Sequence, residues 1–375
     1  MKRQPKVHYI SLYNIPKFYH ENRKYSLSGS KMEYVVDAIN DAGYAVNFIS
    51  LSESRNKRIY LPRSCKWGIV NRFFLAPFIP CCFTESIMFR WLLHIYAALH
   101  IHKGDILLVY HTNCMRNDIL SRLAQKKKML FVYEVEEIYA YAREKISSES
   151  ITEEIEGLQC ADKYLFCSEL LARDVNIRKK DYAVVEGIYR SHDRKGDFSF
   201  DDGKIHIVYS GIVDSVKGGA FNAVKIATYL TDKYMIHILG FGEIDKLQKL
   251  ISEVQEVSRC QILFEGTKTG KDFDSFIQAC DIGLSTQYIA GAFNDSSFPS
   301  KVFMYLSNGI RVVSGNIPCI AKSDLKDFIY TYSTDDPKEI AKTIMEIDLS
   351  KSFLPQEALN TLDKNFSANL RKLLG

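Results

Sequence analysis

The sequence lacks a long uncharged hydrophobic run. Its most apolar tract, residues 73–99, is interrupted by Glu85 and Arg90 and contains prolines, whereas a membrane-spanning helix needs about 20 largely apolar residues. The first residues pass from a basic start directly into the strand-like segment 7–10, without the apolar core of a signal peptide. We therefore expect neither a spanning helix nor a secretory leader.

Paired cysteine motifs are missing as well. The 9 cysteines are odd in number and scattered, and no two Cys-x-x-Cys units occur, which argues against a zinc site or a disulfide framework. Proline is scarce, with 9 residues, and hydrophobic residues make up 46% of the chain, so a disordered or fibrous protein is excluded. We expect a packed cytoplasmic protein with reduced thiols and no metal.

A strong net charge is also absent. The formal charge of +4 is too close to balance to predict nucleic-acid binding, and we expect none. The charge is uneven, however: residues 1–130 hold 20 Lys and Arg against 8 Asp and Glu, and the remainder holds 29 against 37. A basic first part suits an anionic surface or ligand, although a chance skew over solvated faces explains it equally well.

Short apolar runs alternate with helix-length amphipathic stretches almost throughout the chain, which predicts an α/β fold with parallel sheets. Its 375 residues suit two domains. The polar, glycine-punctuated segment 189–204 predicts a linker between an N-terminal domain, 1–188, and a C-terminal domain, 205–354. A last helix, 355–375, is expected to pack back on the first domain. The predicted strands are 6–12, 45–50, 105–110, 128–133 and 163–167, followed by 205–209, 235–239, 261–264, 282–285 and 310–314.

One candidate phosphate loop follows the predicted strand 205–209. Gly211 begins it, and Lys217, Gly218 and Gly219 lead into a predicted helix. Glycines allow close backbone approach, a helix N-terminus presents N–H groups, and the lysine adds a full charge. The spacing is not that of a Walker A loop. A glycine-rich turn with a solvated lysine explains the segment equally well.

A second candidate is a helix that ends at Gly309. We expect Pro299 at its first position, Ser297 or Phe298 at its cap, and Ser300 and Lys301 in its first turn. A lysine in a first turn opposes the helix dipole and is unfavourable without a nearby anion, which points to a ligand.

Two further turns are expected at the same sheet edge. The segment 239–243, which contains Gly242, predicts a tight strand-to-loop turn. The segment 264–267, which ends at Thr267, offers backbone groups to a nucleobase, although a plain turn is the simpler interpretation.

Taken in order, these segments resemble the GT-B class of glycosyltransferases, in particular the retaining nucleotide-sugar enzymes of family 4. The resemblance covers most of the chain and is strongest over 205–315. Five segments carry it: residues 211–218 resemble the Gly-Arg-Leu-x-x-x-Lys-Gly segment, 239–243 the Gly-x-Gly turn, 279–284 the strand before the donor loop, 298–309 the donor helix, and 164–168 a first-domain strand ending in serine.

The chain departs from the family pattern at three positions. Ile212 stands where the family has an arginine, and Met304 stands where its donor helix has a glutamate. Ser296 occupies the position of the partner glutamate, so the usual Glu-x7-Glu pair is absent.

The resemblance implies a GT-B fold, with two doubly wound Rossmann-like domains facing across a cleft. It implies a glycosyltransferase that uses a UDP-sugar and no other cofactor, with a saccharide or lipid-linked saccharide acceptor, in cell-surface polysaccharide or glycoconjugate synthesis. The missing glutamates leave open a catalytically silent homologue acting as a partner subunit, and a nucleotide-sugar epimerase is a third reading. The donor-binding candidates are Gly211, Lys217, Gly218, Gly242, Thr267, Ser297, Phe298, Pro299, Ser300, Lys301 and Met304.

Candidates for a catalytic base lie in the first domain. Retention of configuration, as the family implies, requires no side-chain nucleophile, whereas inversion requires a group that takes the acceptor proton. The candidates are His111, directly after the predicted strand 105–110, and Glu134, Glu136 and Glu137, after 128–133. A solvated loop acid or a hydrogen-bonded loop histidine is the competing interpretation.

The segment 67–99 is rich in aromatic and apolar residues and is flanked by arginine and lysine. Such a composition suits peripheral contact with an anionic membrane, here its inner face, and a lipid-linked acceptor would require it. A pair of core helices in the first domain is the competing prediction.

Overall fold

The structure is a computed structural model that divides into two compact units, Met1–Glu186 with Lys364–Gly375, and Gly187–Asp363. Ser296 lies outside the described residues, and so do Cys81 and Cys82, which are adjacent to each other in the sequence. For residues 85–90 and 142 only the backbone is described. The described residues are 3–24, 29–56, 58–79, 85–112, 117–142, 147–192, 198–290, 294 and 297–375.

The N-terminal unit contains an eight-stranded sheet in the order β3-β4-β2-β1-β5-β6-β7-β8. All neighbouring strands are parallel except β3 and β4, which form an antiparallel hairpin. The strands are β1 (Val7–Ser11), β2 (Val46–Ser50), β3 (Arg63–Trp67), β4 (Asn71–Leu75), β5 (Ile106–Tyr110), β6 (Leu130–Val135), β7 (Lys163–Phe166) and β8 (Tyr182–Val184). The helices are α1 (Gly29–Asp41), α2 (Glu85–His100), α3 (Asn117–Lys127), α4 (Ser148–Leu158) and α5 (Glu169–Val175).

The C-terminal unit contains a six-stranded parallel sheet in the order β11-β10-β9-β12-β13-β14, which is the strand order of a dinucleotide-binding fold. The strands are β9 (Ile205–Val213), β10 (Tyr234–Gly242), β11 (Gln261–Gly266), β12 (Ile282–Ser285), β13 (Arg311–Gly315) and β14 (Ile329–Tyr332). The helices are α6 (Gly219–Ile226), α7 (Ile244–Gln255), α8 (Gly270–Ala279), α9 (Ser300–Ser307), α10 (Pro318–Lys322) and α11 (Pro337–Met345), and α12 (Gln356–Leu374) follows them.

The sheets form where the sequence is apolar without alternation. All five residues of β5 are buried, as are those of β1 and β2, because helices cover both faces of a parallel sheet. The end of α12 belongs to the N-terminal unit, where Phe366 stacks on Tyr34 of α1 at 5.6 Å between ring centroids.

The predicted strands are confirmed in place, with two informative differences in extent. β9 and β10 were expected to end at Tyr209 and Leu239, but they stay paired through Val213 and Gly242. Glycine usually weakens strands, which is why the sequence indicated turns here. In the structure, the absent side chains of Gly240 and Gly242 let the two backbones approach, since a Cβ on Gly240 would overlap the Gly211 carbonyl oxygen and a Cβ on Gly242 that of Val213.

The apolar segment 67–99 is divided between a strand and a helix, so the expected pair of core helices is wrong. Its first part forms β4, whose Phe73 and Leu75 are buried in the sheet, and its second part forms α2. A turn joins β4 to β3, which pairs with it in antiparallel fashion. The sequence analysis did not predict β3 because its residues are largely polar and give no apolar pattern. No helix in the described ranges has the length and apolarity to cross a bilayer.

We expect Gly240→Ala to lower the free energy of unfolding by more than about 3 kcal/mol, because the new methyl group would meet backbone that cannot yield. The control is Gly203→Ala, which also places alanine at positive φ (+70°) but with no atom within 4 Å of its Cβ. That change should cost only about 1 kcal/mol. Urea unfolding of both variants measures the difference, and equal losses would contradict the close approach of β9 and β10.

Candidate functional site

The first group of site residues surrounds Gly211 near the end of β9. A Cβ on Gly211 would lie 2.5 Å from Lys301 Cε and 2.6 Å from Lys301 Nζ, so the lysine side chain occupies the space that any other residue would fill. The Lys301 ammonium also lies 5.1 Å from the centroid of the Tyr209 ring, a cation–π distance. The structure therefore brings the predicted Gly211 and Lys301 together.

Helix α9 is held in place by Tyr305. The Tyr305 hydroxyl accepts a hydrogen bond from Ser210 N (2.9 Å) of β9 and donates to Leu284 O (3.3 Å) of β12. Its ring covers Gly283, where a Cβ would collide with it. Because Tyr305 is one turn beyond Lys301, these contacts aim the first turn of α9 at the end of β9.

The N-terminus of α9 differs by one residue from the sequence prediction. Pro299 is the N-cap, with no side-chain capping bond, and the helix begins at Ser300. Ser300 and Lys301 are nevertheless in the first turn, as predicted, and Ser300 is exposed. Phe298 is buried against Phe303, with ring centroids 4.8 Å apart, so it anchors the helix start.

The loop between β9 and α6 is pinned by acidic side chains. Asp214 Oδ1 accepts from Lys217 N (2.6 Å), and Glu243 Oε2 accepts from Ser215 N (2.8 Å). These backbone donors, which the sequence analysis offered to a phosphate, already have partners. The remaining candidates in this loop are the first-turn N–H groups of α6, which have no acceptor within the helix, and the Lys217 ammonium.

Gly218 is the N-cap of α6 and adopts a left-handed conformation, φ +69°. A Cβ there would overlap the ring of Tyr288, whose own N–H donates to Lys217 O at 2.9 Å. The glycine is therefore required twice, by its backbone angle and by the tyrosine packed against it.

Lys301 is mostly buried and carries a perturbed charge. Its pKa is lowered to about 8, first by burial and then by the nearby Lys217 ammonium, and Asp214 opposes this shift only in part. Within the described residues Lys301 forms no salt bridge, and it is one of two lysines that share this corner of the sheet. The arrangement is that of an anion site.

The other predicted donor residues lie along the same edge or on α9. Gly242 is the last residue of β10, and exposed Thr267 directly follows β11. Met304 is half-buried on α9 one turn after Ser300, so both occupy one helix face. Ser297 precedes the cap and is half-buried.

In the N-terminal unit, Glu134 lies inside β6 and not in the loop after it, which corrects the sequence prediction. Its side chain is fully buried and accepts a hydrogen bond from the Tyr9 hydroxyl of β1, while its Oε1 has no partner among the described residues. The pKa of Glu134 is raised to about 8, first by burial and then by the charge of Glu136. Glu134 is therefore protonated at neutral pH.

Lys31, which the sequence analysis missed, lies next to this acid. It is in the first turn of α1, and its Nζ lies 2.7 Å from Glu136 Oε2. Burial lowers the pKa of Lys31, but the charge and hydrogen bond of Glu136, together with Cys167 and Glu134, raise it overall. Its position in a first turn was the same signal that identified Lys301.

His111 follows β5 and is paired with an acid from a distant helix. Its Nε2 lies 2.8 Å from Glu154 Oε1 of α4, and Glu154 also accepts from the backbone N–H groups of Tyr139 and Ala140. Although burial raises the pKa of Glu154, these hydrogen bonds, His111 first, lower it overall. His111 Nδ1 is buried and has no hydrogen-bond partner in the described structure. Glu137, in the loop after β6, is half-buried and has an interaction partner.

The geometry of the two units therefore offers different chemistry. The C-terminal unit presents a lysine pair with a helix start, which suits an anion. The N-terminal unit presents a neutral carboxyl group, a lysine–glutamate ion pair and a histidine–glutamate pair, which suit hydroxyl groups. In the described part of the chain, no group of three or more His, Cys, Asp or Glu side chains has the arrangement to hold a metal ion.

No family model matches the sequence, and no curated protein matches it either. Solved structures do match. A UDP-forming α,α-trehalose-phosphate synthase from Burkholderia xenovorans, in complex with glucose-6-phosphate, is 11% identical with a TM-score of 0.66 over 98% of each chain. A trehalose-6-phosphate protein from E. coli, bound with UDP-2-fluoro glucose, is 10% identical with a TM-score of 0.65 over 98% of this chain and 97% of that one. A glycosyltransferase from Rickettsia africae is 13% identical with a TM-score of 0.62 over 98% and 96%.

These similarities concern the fold, because the identities are low. They confirm the predicted fold class, the GT-B architecture of two doubly wound Rossmann-like units. They do not single out family 4 among the GT-B glycosyltransferases.

Glu134→Gln tests the buried acid, since glutamine resembles its protonated form. Because the folded-state pKa is raised above the unfolded value, the stabilisation by Glu134 is fully present at low pH and is lost as pH rises through about 8. We expect the variant and the parent to unfold alike at about pH 5, and the variant to be more stable by about 1 kcal/mol or more near pH 8. Urea unfolding at several pH values measures this. Glu153→Gln, at an exposed position of α4, should show no such trend, and a flat difference for Glu134→Gln would contradict the protonated state.

Proposed function

We propose that this chain is a glycosyltransferase that moves a sugar from a UDP-sugar donor to a saccharide acceptor. The observation that carries the proposal is the Lys301 ammonium, which is mostly buried, lies near Lys217 and forms no salt bridge within the described residues. A nucleotide diphosphate supplies a compact negative charge for the Lys301 ammonium.

The size of the effect supports a ligand over a structural role. A lysine pKa lowered from 10.5 to about 8 corresponds to roughly 3 kcal/mol of destabilised charge. A bound diphosphate removes this penalty, whereas a purely structural lysine would be better replaced by an uncharged residue.

The same charges suit the chemistry of glycosyl transfer. As the bond between the sugar and the diphosphate breaks, negative charge grows on the leaving group and positive charge grows on the anomeric carbon. Lys301, Lys217 and the first turns of α6 and α9 stabilise that leaving group from fixed positions. No side-chain nucleophile is required if the leaving phosphate assists attack on the same face, as in the family 4 enzymes that the motifs resemble.

The structural neighbours support the donor and acceptor classes. One is bound with UDP-2-fluoro glucose and another is UDP-forming and bound to glucose-6-phosphate. By this analogy Gly211, Gly218 and Ser300 contact the diphosphate, and Gly242 and Thr267 border the nucleoside. Met304 stands where the resembling family has a glutamate. The ribose hydroxyl groups of the donor therefore have no carboxylate to bind at this position.

A base for the acceptor proton, where one is needed, is best provided by His111. Glu154 holds its Nε2, which leaves Nδ1 as the acceptor of a proton, the arrangement of an acid-oriented histidine. Glu134 is protonated at neutral pH and would have to lose its proton first, and Glu137 already has a partner. These two remain weaker candidates.

The acceptor is a saccharide or a lipid-linked saccharide, and the reaction belongs to cell-surface polysaccharide or glycoconjugate synthesis. A lipid-linked acceptor places the protein in the cytoplasm at the inner face of a membrane. A panel of UDP-sugars with soluble and lipid-linked acceptors, assayed for released UDP, tests the activity. Interconversion of the sugar without an acceptor would indicate an epimerase instead.

A second candidate function is a catalytically silent partner subunit. It is favoured by Met304 and Ile212, which replace the glutamate and arginine of the resembling family. UDP binding without UDP release from any donor, with or without acceptors, would support it over the enzyme.

Lys301→Ala should weaken UDP binding about tenfold to a hundredfold, since a charge-assisted hydrogen bond is worth about 1.5–3 kcal/mol. Binding of uridine, which has no diphosphate, should change little. Titration calorimetry of both ligands gives the comparison. The matched control is Lys249→Ala, which removes an exposed lysine of α7 and should leave both affinities unchanged. Equal losses for UDP and uridine would place the diphosphate elsewhere.

The affinity for UDP should also fall at alkaline pH. Only the protonated Lys301 attracts the diphosphate, and its pKa in the unliganded protein is about 8. The dissociation constant should therefore rise above pH 8, by up to about tenfold per pH unit. In Lys301→Arg the charge persists and the dependence should disappear, so a persisting slope would show that another group titrates.

A further inference from the structure

Helix α2 exposes an apolar row to solvent. Trp91, Ile95 and Leu99 follow one another at intervals of four residues, so they form one stripe along the helix. Their exposed fractions are 66%, 53% and 68%, which are large values for side chains of this size. The opposite side, with Leu93 and Ala97, is buried in the core of the N-terminal unit. Helix α2 is thus apolar on both sides.

A groove of about 300 Å³ lies between α2 and α3, beside this row. Its floor is apolar and includes Leu93 and Ala97, and Arg122 and Lys126 of α3 line it as well. Both cations are exposed, and neither forms a salt bridge within the described residues. An apolar floor beside exposed cations suits a molecule that carries both an acyl chain and a phosphate.

A third cation lies near α2. Phe74 of β4 packs on His100 with ring centroids 5.0 Å apart, and the Arg72 guanidinium lies 6.0 Å from the Phe74 ring. Arg72 is exposed. Arg72 is thus a further exposed cation near the carboxyl end of α2, and residues 91–104 contain no acidic residue.

The two helices are also fastened to each other. Lys127 Nζ of α3 donates to Ala97 O (3.1 Å) and Ile101 O (3.2 Å), which caps the carboxyl end of α2. The row and the cationic groove are thus parts of one surface, which we call the α2–α3 face: Trp91, Ile95, Leu99, Arg122 and Lys126.

We infer that the α2–α3 face docks on an anionic phospholipid bilayer. A helix that lies in a bilayer interface inserts its apolar side among the acyl chains, and flanking cations bind the lipid phosphates. A second copy of this chain would fit poorly, because it would bring Arg122 and Lys126 against the same cations. The inference rests on the proposed function only for its purpose, which is access to a lipid-linked acceptor.

The test uses the full chain and flotation with two kinds of vesicle, phosphatidylcholine alone and phosphatidylcholine with a minor fraction of phosphatidylglycerol. We expect binding to the anionic vesicles at low salt, little binding to the neutral ones, and release at high salt. In Trp67→Phe the remaining tryptophan is Trp91, and its emission should shift to the blue and be quenched by brominated lipid when vesicles are added.

Two variants separate the apolar and the charged contributions. Ile95→Ser with Leu99→Ser, and Arg122→Glu with Lys126→Glu, should each reduce vesicle binding by at least about tenfold, since several contacts are lost in each. The matched controls are Val257→Ser, at a position 71% exposed, and Lys249→Glu on α7, which change other surfaces and should bind as the parent does.

Titration with UDP keeps the two proposals distinguishable. All four variants should bind UDP as the parent does, because none of the changed residues belongs to the lysine pair or to the loop and helix starts beside it. Loss of UDP binding in the parent would overturn the proposed function and leave docking intact. Docking would be overturned if the parent did not bind anionic vesicles at low salt. It would also be overturned if the Ser and Glu double variants bound the vesicles as well as the parent does. Dimerisation abolished by Leu99→Ser, without vesicle binding, would also overturn it and assign the face to a second copy.

Discussion

The C-terminal unit depends on one close contact, between the Lys301 ammonium and the backbone of Gly211. Three features of the fold make this contact possible. Gly211 has no side chain, β9 and β10 stay paired beyond the predicted strand ends, and Tyr305 is hydrogen-bonded to two strands and so fixes α9. The result is a lysine whose pKa is lowered by burial and by a second lysine. Such an arrangement lowers the stability of the folded protein, and the proposed diphosphate would offset that cost, which is why this contact outweighs the looser motifs around it.

The two units use the same local device with opposite outcomes. Each places a lysine in the first turn of a helix, Lys31 in α1 and Lys301 in α9. Lys31 is paired with Glu136, and its pKa is raised, whereas Lys301 has no acidic partner among the residues that the structure describes, and its pKa is lowered. One unit is therefore suited to an uncharged ligand rich in hydroxyl groups and the other to an anion. This difference in charge is what a saccharide acceptor and a nucleotide-diphosphate donor require.

The sequence was sufficient to place most of the strands along the chain and to locate Lys301 in the first turn of a helix, because both depend on local signals. Apolar runs predict buried strands. Lys301 was identified because it lies in the first turn of a predicted helix, where a lysine opposes the helix dipole. Glu134 was misplaced because its partner, Tyr9, comes from β1, far away in the sequence. Lys31 was missed because its partner, Glu136, lies after β6 and is equally distant in the sequence. Whether a carboxyl group after an apolar run ends in a loop or in the strand depends on such distant partners. The β3–β4 hairpin was missed for a different reason, since an exposed edge strand has no apolar pattern.

Ile212 stands where the resembling family has an arginine, so one positive charge is missing and the charge of Lys301 becomes more important. Ile212 pairs with Phe241, and both side chains are exposed to about half their surface, 43% and 49%. The end of the β9–β10 ribbon is therefore apolar where the resembling family has an arginine. Lys217, for its part, is exposed and lies on a loop whose backbone N–H groups are held by Asp214 and Glu243. Lys301 is left as the main fixed positive charge for a leaving diphosphate in the described part of the C-terminal unit, and so the chemistry of this fold, if this chain performs it, depends chiefly on that one ammonium.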